Sequence, residues 1–162
     1  GAFLAGYLAL RYYSKKYRLD FWRLLDCIVT QLPFPLGLVR LANFINGELW
    51  GRVTSHAWGV VFPRADMFTR HPSQLYEAFL EGIVLFVLMN LIFFNKNNKV
   101  GTCSIMFLIL YGCFRITSEI FREPDLQVGY LFGNISMGMF LSVFMIIAGF
   151  IIYFKRKNEI YS

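Results

Sequence analysis

The feature that most constrains the fold is a series of apolar segments, most of them long enough to cross a lipid bilayer. Such a helix needs about 20 predominantly apolar residues. We therefore predict an all-α polytopic membrane protein with about five transmembrane helices, the first of them incomplete. The segments are Gly1 to about Tyr13, about Leu24 to Trp50, about Gln74 to Phe94, Cys103 to Phe121 and about Ile135 to Phe154.

The composition supports this prediction. Of the 162 residues, 57% are hydrophobic and only 16% are charged. A soluble domain of this length does not bury so much apolar surface in a single core. We expect one integral membrane domain over residues 1–162, with an outer, periplasmic-side loop at about 52–73 and a short cytoplasmic tail at about 155–162. The three cysteines lack the spacing of a zinc site, and no metal site is predicted.

The basic residues fall into two groups. Ten of the 16 follow the first, third and fifth segments, and they include every lysine. Such connections mark the cytoplasmic side of a membrane protein, so the pattern predicts a cytoplasmic C-terminus. Nucleic-acid binding is disfavoured, because no basic patch is interleaved with exposed aromatic residues. The remaining six are all arginines that orientation does not explain: Arg40, Arg52, Arg64, Arg70, Arg115 and Arg122.

The end of the second segment carries polar residues that lipid does not tolerate without a partner. If the segment is one helix, Arg40, Asn43, Gly47 and Gly51 share one face. Asn46 and Gly47 also form a turn dipeptide, so a helix end at this point is the alternative. Ionisable groups at membrane depth are usually functional. The alternative is that Arg40 reaches the interface and the asparagines only join helices.

The fourth segment repeats this arrangement. The spacing places Tyr111, Arg115, Glu119 and Arg122 on one helical face, with Arg115 and Glu119 one turn apart. Two arginines and one glutamate leave positive charge unmatched, and Arg40 adds to it. A pocket with spare guanidinium groups suits a lipid phosphate. The alternative is a buried ion pair that only fixes helix packing.

The start of the third segment also carries polar residues. Ser73 is predicted to be the N-cap of this helix, and Glu77 and Glu81 lie one turn apart near its beginning. His71 has the side chain of a general base, and the alternative is that it is only a loop residue. The sequence contains no glycine-rich phosphate loop and no visible hydrolase triad.

Three long polar blocks resemble the bacterial prolipoprotein diacylglyceryl transferases. They are RLANFINGELWGR at 40–52, RHPSQLYEAFLEG at 70–82 and YGCFRITSEIFREPD at 111–125, with a weaker fourth, GYLFGNISMG, at 129–138. The resemblance implies a seven-span enzyme of the bacterial inner membrane, of which these segments are the last five. It implies transfer of the diacylglyceryl group of phosphatidylglycerol to the lipobox cysteine thiol of a preprolipoprotein, which forms a thioether and releases glycerol phosphate. No cofactor is implied, and the partners are these two substrates and the bilayer.

The resemblance also implies candidate site residues. Arg40 matches an arginine that contacts the headgroup, and Tyr111 and Arg115 match a pair essential for turnover. With His71, these are the catalytic candidates. The substrate-binding candidates are Arg40, Asn43, Asn46, Glu48, Gly51, Ser73, Gln74, Tyr76, Glu77, Glu119 and Arg122.

Two departures from the family pattern accompany the resemblance. A family histidine in a Ser-Phe-His-Gly-Gly motif is expected just before Gly1, and Ala42 stands where glycine is common. The base that takes the thiol proton stays open between that histidine, Tyr111 and His71. Two other functions also stay open: an anion or lipid transporter or channel lined by arginines, and an inactive, truncated family member.

Overall fold

The computed structural model describes residues 2–123, 130–132 and 135–161, with side chains for 4–123 and 135–156. The described helices are α1 (Ala2–Tyr17), α2 (Phe21–Gln31), α3 (Pro33–Asn46), α4 (Ser73–Glu77), α5 (Leu85–Phe94), α6 (Thr102–Glu119) and α7 (Met137–Tyr161). A π-helical segment, Ala78–Val84, joins α4 to α5 and is called the π segment below. Two short antiparallel pairs add to the predicted all-α fold: β1 (Val60–Val61) with β2 (Thr69–Arg70), and β3 (Tyr130–Phe132) with β4 (Ile135–Ser136).

Three helical stretches in the described ranges are long and apolar enough to cross a membrane. They are Phe21–Asn46, Ser73–Phe94 and Met137–Arg156, which correspond to the second, third and fifth predicted segments. The helical membrane character is therefore supported. The first and fourth segments form α1 and α6, which have only 16 and 18 residues, so the five-span count stays a prediction.

The second predicted segment consists of two helices rather than one. They meet at Leu32, and α3 begins at Pro33, where the missing proline N–H costs least. α3 ends at Asn46, and Gly47 takes a left-handed φ of 65° as its C-cap, a conformation that glycine adopts without steric cost. The helix therefore ends at the Asn46–Gly47 dipeptide and does not continue to Trp50.

α3 and the π segment cross at a pair of glycines. A Cβ atom added to Gly37 would lie 2.9 Å from the Cα of Gly82, and one added to Gly82 would lie 2.7 Å from the Cα of Gly37. Small residues at a helix crossing allow this close backbone approach. The crossing brings the turn of α3 that carries Arg40 against the turn that carries Glu81.

The apolar core lies between α2, α5 and α6, and one buried carboxylate fastens two of these helices. The core residues are Val29, Leu85, Met89, Cys103 and Phe107. Asp26 of α2 accepts hydrogen bonds from the Gly101 N–H, from the Ser104 N–H at 2.8 Å and from the Ser104 hydroxyl at 2.6 Å. A carboxylate is favourable at the positive N-terminal end of a helix. Asp26 therefore holds α2 against the start of α6.

The outward surface of the helices is apolar. Phe140, Phe144 and Ile151 of α7 are about half exposed, as are many large hydrophobic side chains on other helices. Soluble monomers rarely expose such extended apolar surface. A lipid environment accounts for it, in agreement with the predicted class.

Candidate functional site

Three arginines and three glutamates from separate helical elements meet inside the helices, and we call this group the arginine cluster. Its members are Arg40 of α3, Glu77 of α4, Glu81 of the π segment, Arg115 and Glu119 of α6, and Arg122 just beyond α6. Arg40 is the most exposed member, with 18% of its side chain accessible. The structure thus brings together six polar residues that lie far apart in sequence.

Glu77 is the carboxylate that the arginines share most closely. Its Oε1 lies 2.6 Å from Nη1 of Arg115, and its Oε2 lies 3.0 Å from Nε of Arg40. Nη2 of Arg115 lies 2.7 Å from Oε2 of Glu119, so the predicted pairing of Arg115 with Glu119 is confirmed. The contact from Arg115 to Glu77 is a charge-assisted hydrogen bond, one of the strong polar interactions of proteins. The other two contacts are ion pairs without hydrogen-bond geometry.

The charge balance of the cluster corrects one prediction. Three guanidinium groups face three carboxylates, so the formal charges cancel. The prediction of unmatched positive charge is wrong, because it counted charges along single helices. Glu77 and Glu81 of the third segment supply the missing negative charge. Glu81 was absent from the candidate site residues, although its spacing of four from Glu77 is visible in the sequence.

The π segment keeps these two glutamates on the inward face. Glu77, Glu81, Leu85 and Met89 follow one another at intervals of four, and each is at most 1% exposed. In a regular α-helix, each four-residue step rotates by about 40°, so such a series turns away from the interface. A π turn contains more residues than an α-helical turn, so it rotates the following residues back toward the interface. Single π turns are frequent at functional sites.

Tyr111 lies beside the cluster. It is one turn before Arg115 on α6, partly buried, and within electrostatic range of Glu81 and Arg40. Its ring stacks on Phe107, with 5.5 Å between the ring centroids. Three of the four catalytic candidates, Arg40, Tyr111 and Arg115, are therefore neighbours.

Gly51 packs against backbone and does not share a helical face with Arg40, so that prediction is wrong. Its N–H donates to the His71 carbonyl at 3.0 Å, and the Arg52 N–H donates to the Phe121 carbonyl at 3.0 Å. A Cβ atom on Gly51 would overlap both of these carbonyl oxygens. The glycine is needed because the segment after α3 passes between two other backbone segments.

Ser73 and Gln74 tie the start of the third segment to the end of the second. α4 begins at Ser73, and Pro72 occupies the N-cap position, so the predicted N-cap role of Ser73 is wrong. The Ser73 hydroxyl donates instead to the Leu49 carbonyl at 3.2 Å, and the Gln74 amide donates to the Glu48 carbonyl at 2.7 Å. Both side chains are fully buried, and these bonds position the segment that follows α3.

The remaining candidates at the end of α3 differ in their surroundings. Asn46 is exposed, and Glu48 contacts Arg64 at 3.5 Å with more than half of each side chain exposed. The structure therefore does not bring these two into the arginine cluster. Asn43 is partly buried and lies about one helical turn after Arg40 on α3.

His71 lies in a second group of residues, which we call the aromatic cluster. Its members are His56, Trp58, His71, Tyr76 and Phe121. Its Nδ1 is 3.1 Å from the Tyr76 hydroxyl, which also accepts a hydrogen bond from Nε1 of Trp58 at 2.9 Å. The centroid of its imidazole ring lies 5.3 Å from the ring centroid of Phe121 and 5.6 Å from that of His56. Burial and, secondarily, the nearby His56 lower the pKa of His71. In the tautomer that carries its proton on Nε2, Nδ1 accepts a hydrogen bond from the Tyr76 hydroxyl.

The two clusters are distinct. Within the described ranges, no ion pair or hydrogen bond joins the His71 side chain to the six residues of the arginine cluster. Tyr76 likewise points its hydroxyl at His71 and Trp58. The predicted site thus divides into a buried ionic part and an aromatic part on the loop side.

Comparison with known proteins identifies the family. The family model described as prolipoprotein diacylglyceryl transferase matches residues 1–155. A phosphatidylglycerol–prolipoprotein diacylglyceryl transferase of Rickettsia conorii is 47% identical over 151 residues, which cover 92% of this chain and 58% of the relative. The protein of that name from Rickettsia bellii is 46% identical over 161 residues, which cover 98% of this chain and 59% of the relative.

This chain therefore spans somewhat more than half the length of these relatives. The family match covers both clusters, from the end of α3 to the end of α6. The chain belongs to the prolipoprotein diacylglyceryl transferase family.

Proposed function

We propose that this protein transfers the diacylglyceryl group of phosphatidylglycerol to the cysteine thiol of a preprolipoprotein. The observation that carries the proposal is the family match over residues 1–155, combined with the convergence of Arg40 and Arg115 on the same two glutamates. Guanidinium groups from two helices at one point are suited to a phosphate, which accepts hydrogen bonds from both sides.

The reaction is a substitution at a glycerol carbon. The sulfur of the lipobox cysteine forms a C–S bond, the C–O bond to the phosphate breaks, and glycerol phosphate leaves with the electron pair. The thiol proton passes to a base, because the thiolate is the nucleophile. Negative charge accumulates on the leaving phosphate, where preorganised donors lower the barrier most.

We assign roles to residues according to their places in the two clusters. Arg40 and Arg115 bind the phosphate, Tyr111 donates a hydrogen bond to it, and the amide of Asn43 adds a further donor. His71 is our candidate for the proton acceptor, because its lowered pKa favours the neutral imidazole, and its Nδ1 takes the proton in place of the hydrogen bond from the Tyr76 hydroxyl. The remaining candidates keep these groups in place through the contacts described above.

We further propose that the chain has five spans in the bacterial inner membrane, with a cytoplasmic C-terminus and the loop at about 52–73 in the periplasm. Contacts between the lysine-rich connections support this orientation. The guanidinium carbon of Arg156, near the end of α7, lies 4.8 Å from the ring centroid of Trp22. The same side chain packs against Gly101. Trp22 lies beside the connection after α1, and Gly101 lies beside the connection after α5. The three basic connections therefore share one end of the molecule, as the positive-inside rule requires.

The test is a transfer assay on the complete natural protein in membranes. Incubation with phosphatidylglycerol and a lipobox peptide is expected to add the mass of one diacylglyceryl group to the peptide. A peptide with serine in place of the lipobox cysteine serves as the control and should gain no mass. Absence of the product with the cysteine peptide, in membranes that contain the folded protein, would refute the proposal.

A further inference from the structure

We propose that Glu81 is the exchangeable partner in the arginine cluster: a headgroup phosphate takes its place beside Arg40 and Arg115, while Glu77 stays paired. The inference rests on the proposed function and deepens it, because it names the residue that sets the affinity of the site for the anion. Glu81 is in this sense a positioning residue, since it acts through the two arginines.

The distances distinguish the two glutamates. Glu81 Oε1 lies 3.4 Å from Nη1 of Arg115, and Glu81 Oε2 lies 3.8 Å from Nη2 of Arg40. The corresponding contacts of Glu77 are 2.6 Å and 3.0 Å. Charge-assisted hydrogen bonds weaken as the distance grows, and the bond that Arg115 donates to Glu77 is 2.6 Å long against 3.4 Å to Glu81. The 3.0 Å contact of Arg40 with Glu77 is an ion pair without hydrogen-bond geometry. Both glutamates face the same two arginines, and Glu81 is held less tightly.

The most exposed member of the cluster, Arg40, also makes the longer of the two contacts of Glu81. Arg40 is 18% exposed, whereas the side chains of the other five members are at most 9% exposed. Its Nε is engaged by Glu77, and its Nη2 faces Glu81. A phosphate that approaches Arg40 therefore competes first with Glu81, because a guanidinium binds phosphate through two adjacent N–H groups.

Charge balance favours such an exchange. The cluster is formally neutral before an anion arrives, and a phosphate adds negative charge at a buried position. Like charges at close range repel strongly where the dielectric constant is low, and an uncompensated buried charge is costly. Displacement of Glu81 relieves both penalties when its own carboxylate takes up a proton as it leaves the guanidinium groups, because the Glu81 side chain is only 1% exposed. Replacement of its carboxylate by a neutral group should therefore tighten anion binding, whereas loss of a merely structural residue would weaken it.

The consequence for turnover follows from the same argument. A site that holds substrate and leaving group more tightly has a lower KM, and slower departure of glycerol phosphate lowers kcat. We therefore expect Glu81→Gln, in the complete protein, to bind glycerol phosphate at least about fivefold more tightly than the wild type. Its KM for phosphatidylglycerol should fall, and its kcat should fall with it.

Glu77→Gln is the matched control, because it removes the same charge one turn away. It also breaks the 2.6 Å and 3.0 Å contacts that hold both arginines, so we expect weaker binding of glycerol phosphate and lower thermal stability. Equal tightening in both variants would overturn the proposal, because the exchange would then not belong to Glu81.

Other outcomes also decide the matter. Unchanged or weaker binding of glycerol phosphate by folded Glu81→Gln overturns the proposal. Glu81→Ala removes the same charge with less demand on packing, and failure of both variants to fold also overturns it, because an exchangeable partner is dispensable for folding. If the wild-type protein itself binds neither glycerol phosphate nor phosphatidylglycerol vesicles, the proposed function fails rather than the role of Glu81.

Discussion

Arginines pair with carboxylates in two regions of this molecule, the arginine cluster and the outer loop around Arg70, and the two regions are built differently. In the loop, Arg70 forms two hydrogen bonds with Asp66, at 2.6 Å and 3.2 Å, and donates a third to the Gly51 carbonyl at 3.1 Å. Asp66 is four residues away along the same chain segment. The short contacts of this guanidinium are thus with Asp66, and a longer one of 3.5 Å reaches the distant Glu123.

The arginine cluster shares its carboxylates among guanidinium groups from different elements. Glu77 and Glu81 each contact both Arg40 and Arg115, at distances from 2.6 to 3.8 Å. Because these contacts differ in length, a ligand anion can replace the more weakly held carboxylate while the other stays paired. The bidentate pair of Arg70 with Asp66 instead stabilises a loop. The comparison shows that an arginine with a partner is not thereby excluded from binding a ligand. The number and length of its contacts decide its role.

The largest effect is expected from Arg115→Lys in the arginine cluster. A lysine cannot contact Glu77 and Glu119 with two separate nitrogens, as Arg115 does. We expect diacylglyceryl transfer to a lipobox peptide to fall at least about 100-fold, the cost of removing one transition-state donor. Arg70→Lys in the loop is the control and should reduce the rate only severalfold. A similar loss in both variants would mean that the two regions do not differ in function.

The next effect concerns the crossing that positions the cluster. Gly82→Leu places side-chain atoms where the backbone of Gly37 lies, since even a Cβ atom would be 2.7 Å from its Cα. Overpacking of this kind costs about 1–3 kcal/mol, so we expect a lower free energy of unfolding in detergent micelles and loss of transfer activity. Gly6→Leu is the control, because within the described ranges no atom outside the local backbone of α1 lies within 4 Å of a Cβ at that position. Equal stability of the two variants would contradict the importance of the crossing.

A smaller effect is expected from the titration of His71 in the aromatic cluster. Its pKa is lowered in the folded protein, so the unfolded chain binds the proton first as the pH falls. The contribution of His71 to stability is therefore complete above its unfolded pKa of about 6.5 and decreases as the pH falls below that value. Thermal unfolding from pH 7.5 to 5 should show this decrease, and His71→Gln should reduce it. An unchanged slope in the variant would assign the effect to other groups.

The smallest effect is expected from Asp66→Asn in the loop. The side-chain hydrogen bonds from Arg70 hold the pKa of Asp66 below its usual value, so the charged pair persists down to a pH below about 4 and is lost only as the pH falls through the lowered pKa. At neutral pH, the variant should speed hydrogen exchange of the backbone amides around β2 and leave the transfer rate unchanged. A large fall in the rate would show that the loop pair takes part in catalysis.

Several features were predictable because they depend on local sequence. The second, third and fifth apolar segments contain the three candidate spans. The Asn46–Gly47 dipeptide marks the end of α3, where only a residue tolerant of a left-handed φ fits easily. The pairing of Arg115 with Glu119 follows from their separation by one helical turn.

Other features were not predictable, because they depend on contacts between elements distant in sequence. Gly51 was a substrate-binding candidate, yet the backbone carbonyls of His71 and Phe121 occupy the space beside it. The Ser73 hydroxyl bonds to the segment after α3 instead of capping its own helix. Helical periodicity relates a residue only to neighbours within its own element, so it could not reveal either partner.

The sequence alone determined that this chain is a helical membrane protein with arginines that orientation does not require, because hydropathy and charge are properties of each segment by itself. The tertiary structure alone decided that two of those arginines, Arg40 and Arg115, are neutralised. The Gly37–Gly82 crossing and the π segment bring Glu77 and Glu81 to Arg40 and Arg115. Such a balance depends on how four elements pack together, and the burial of a charge is tolerated only when the packing supplies its partner.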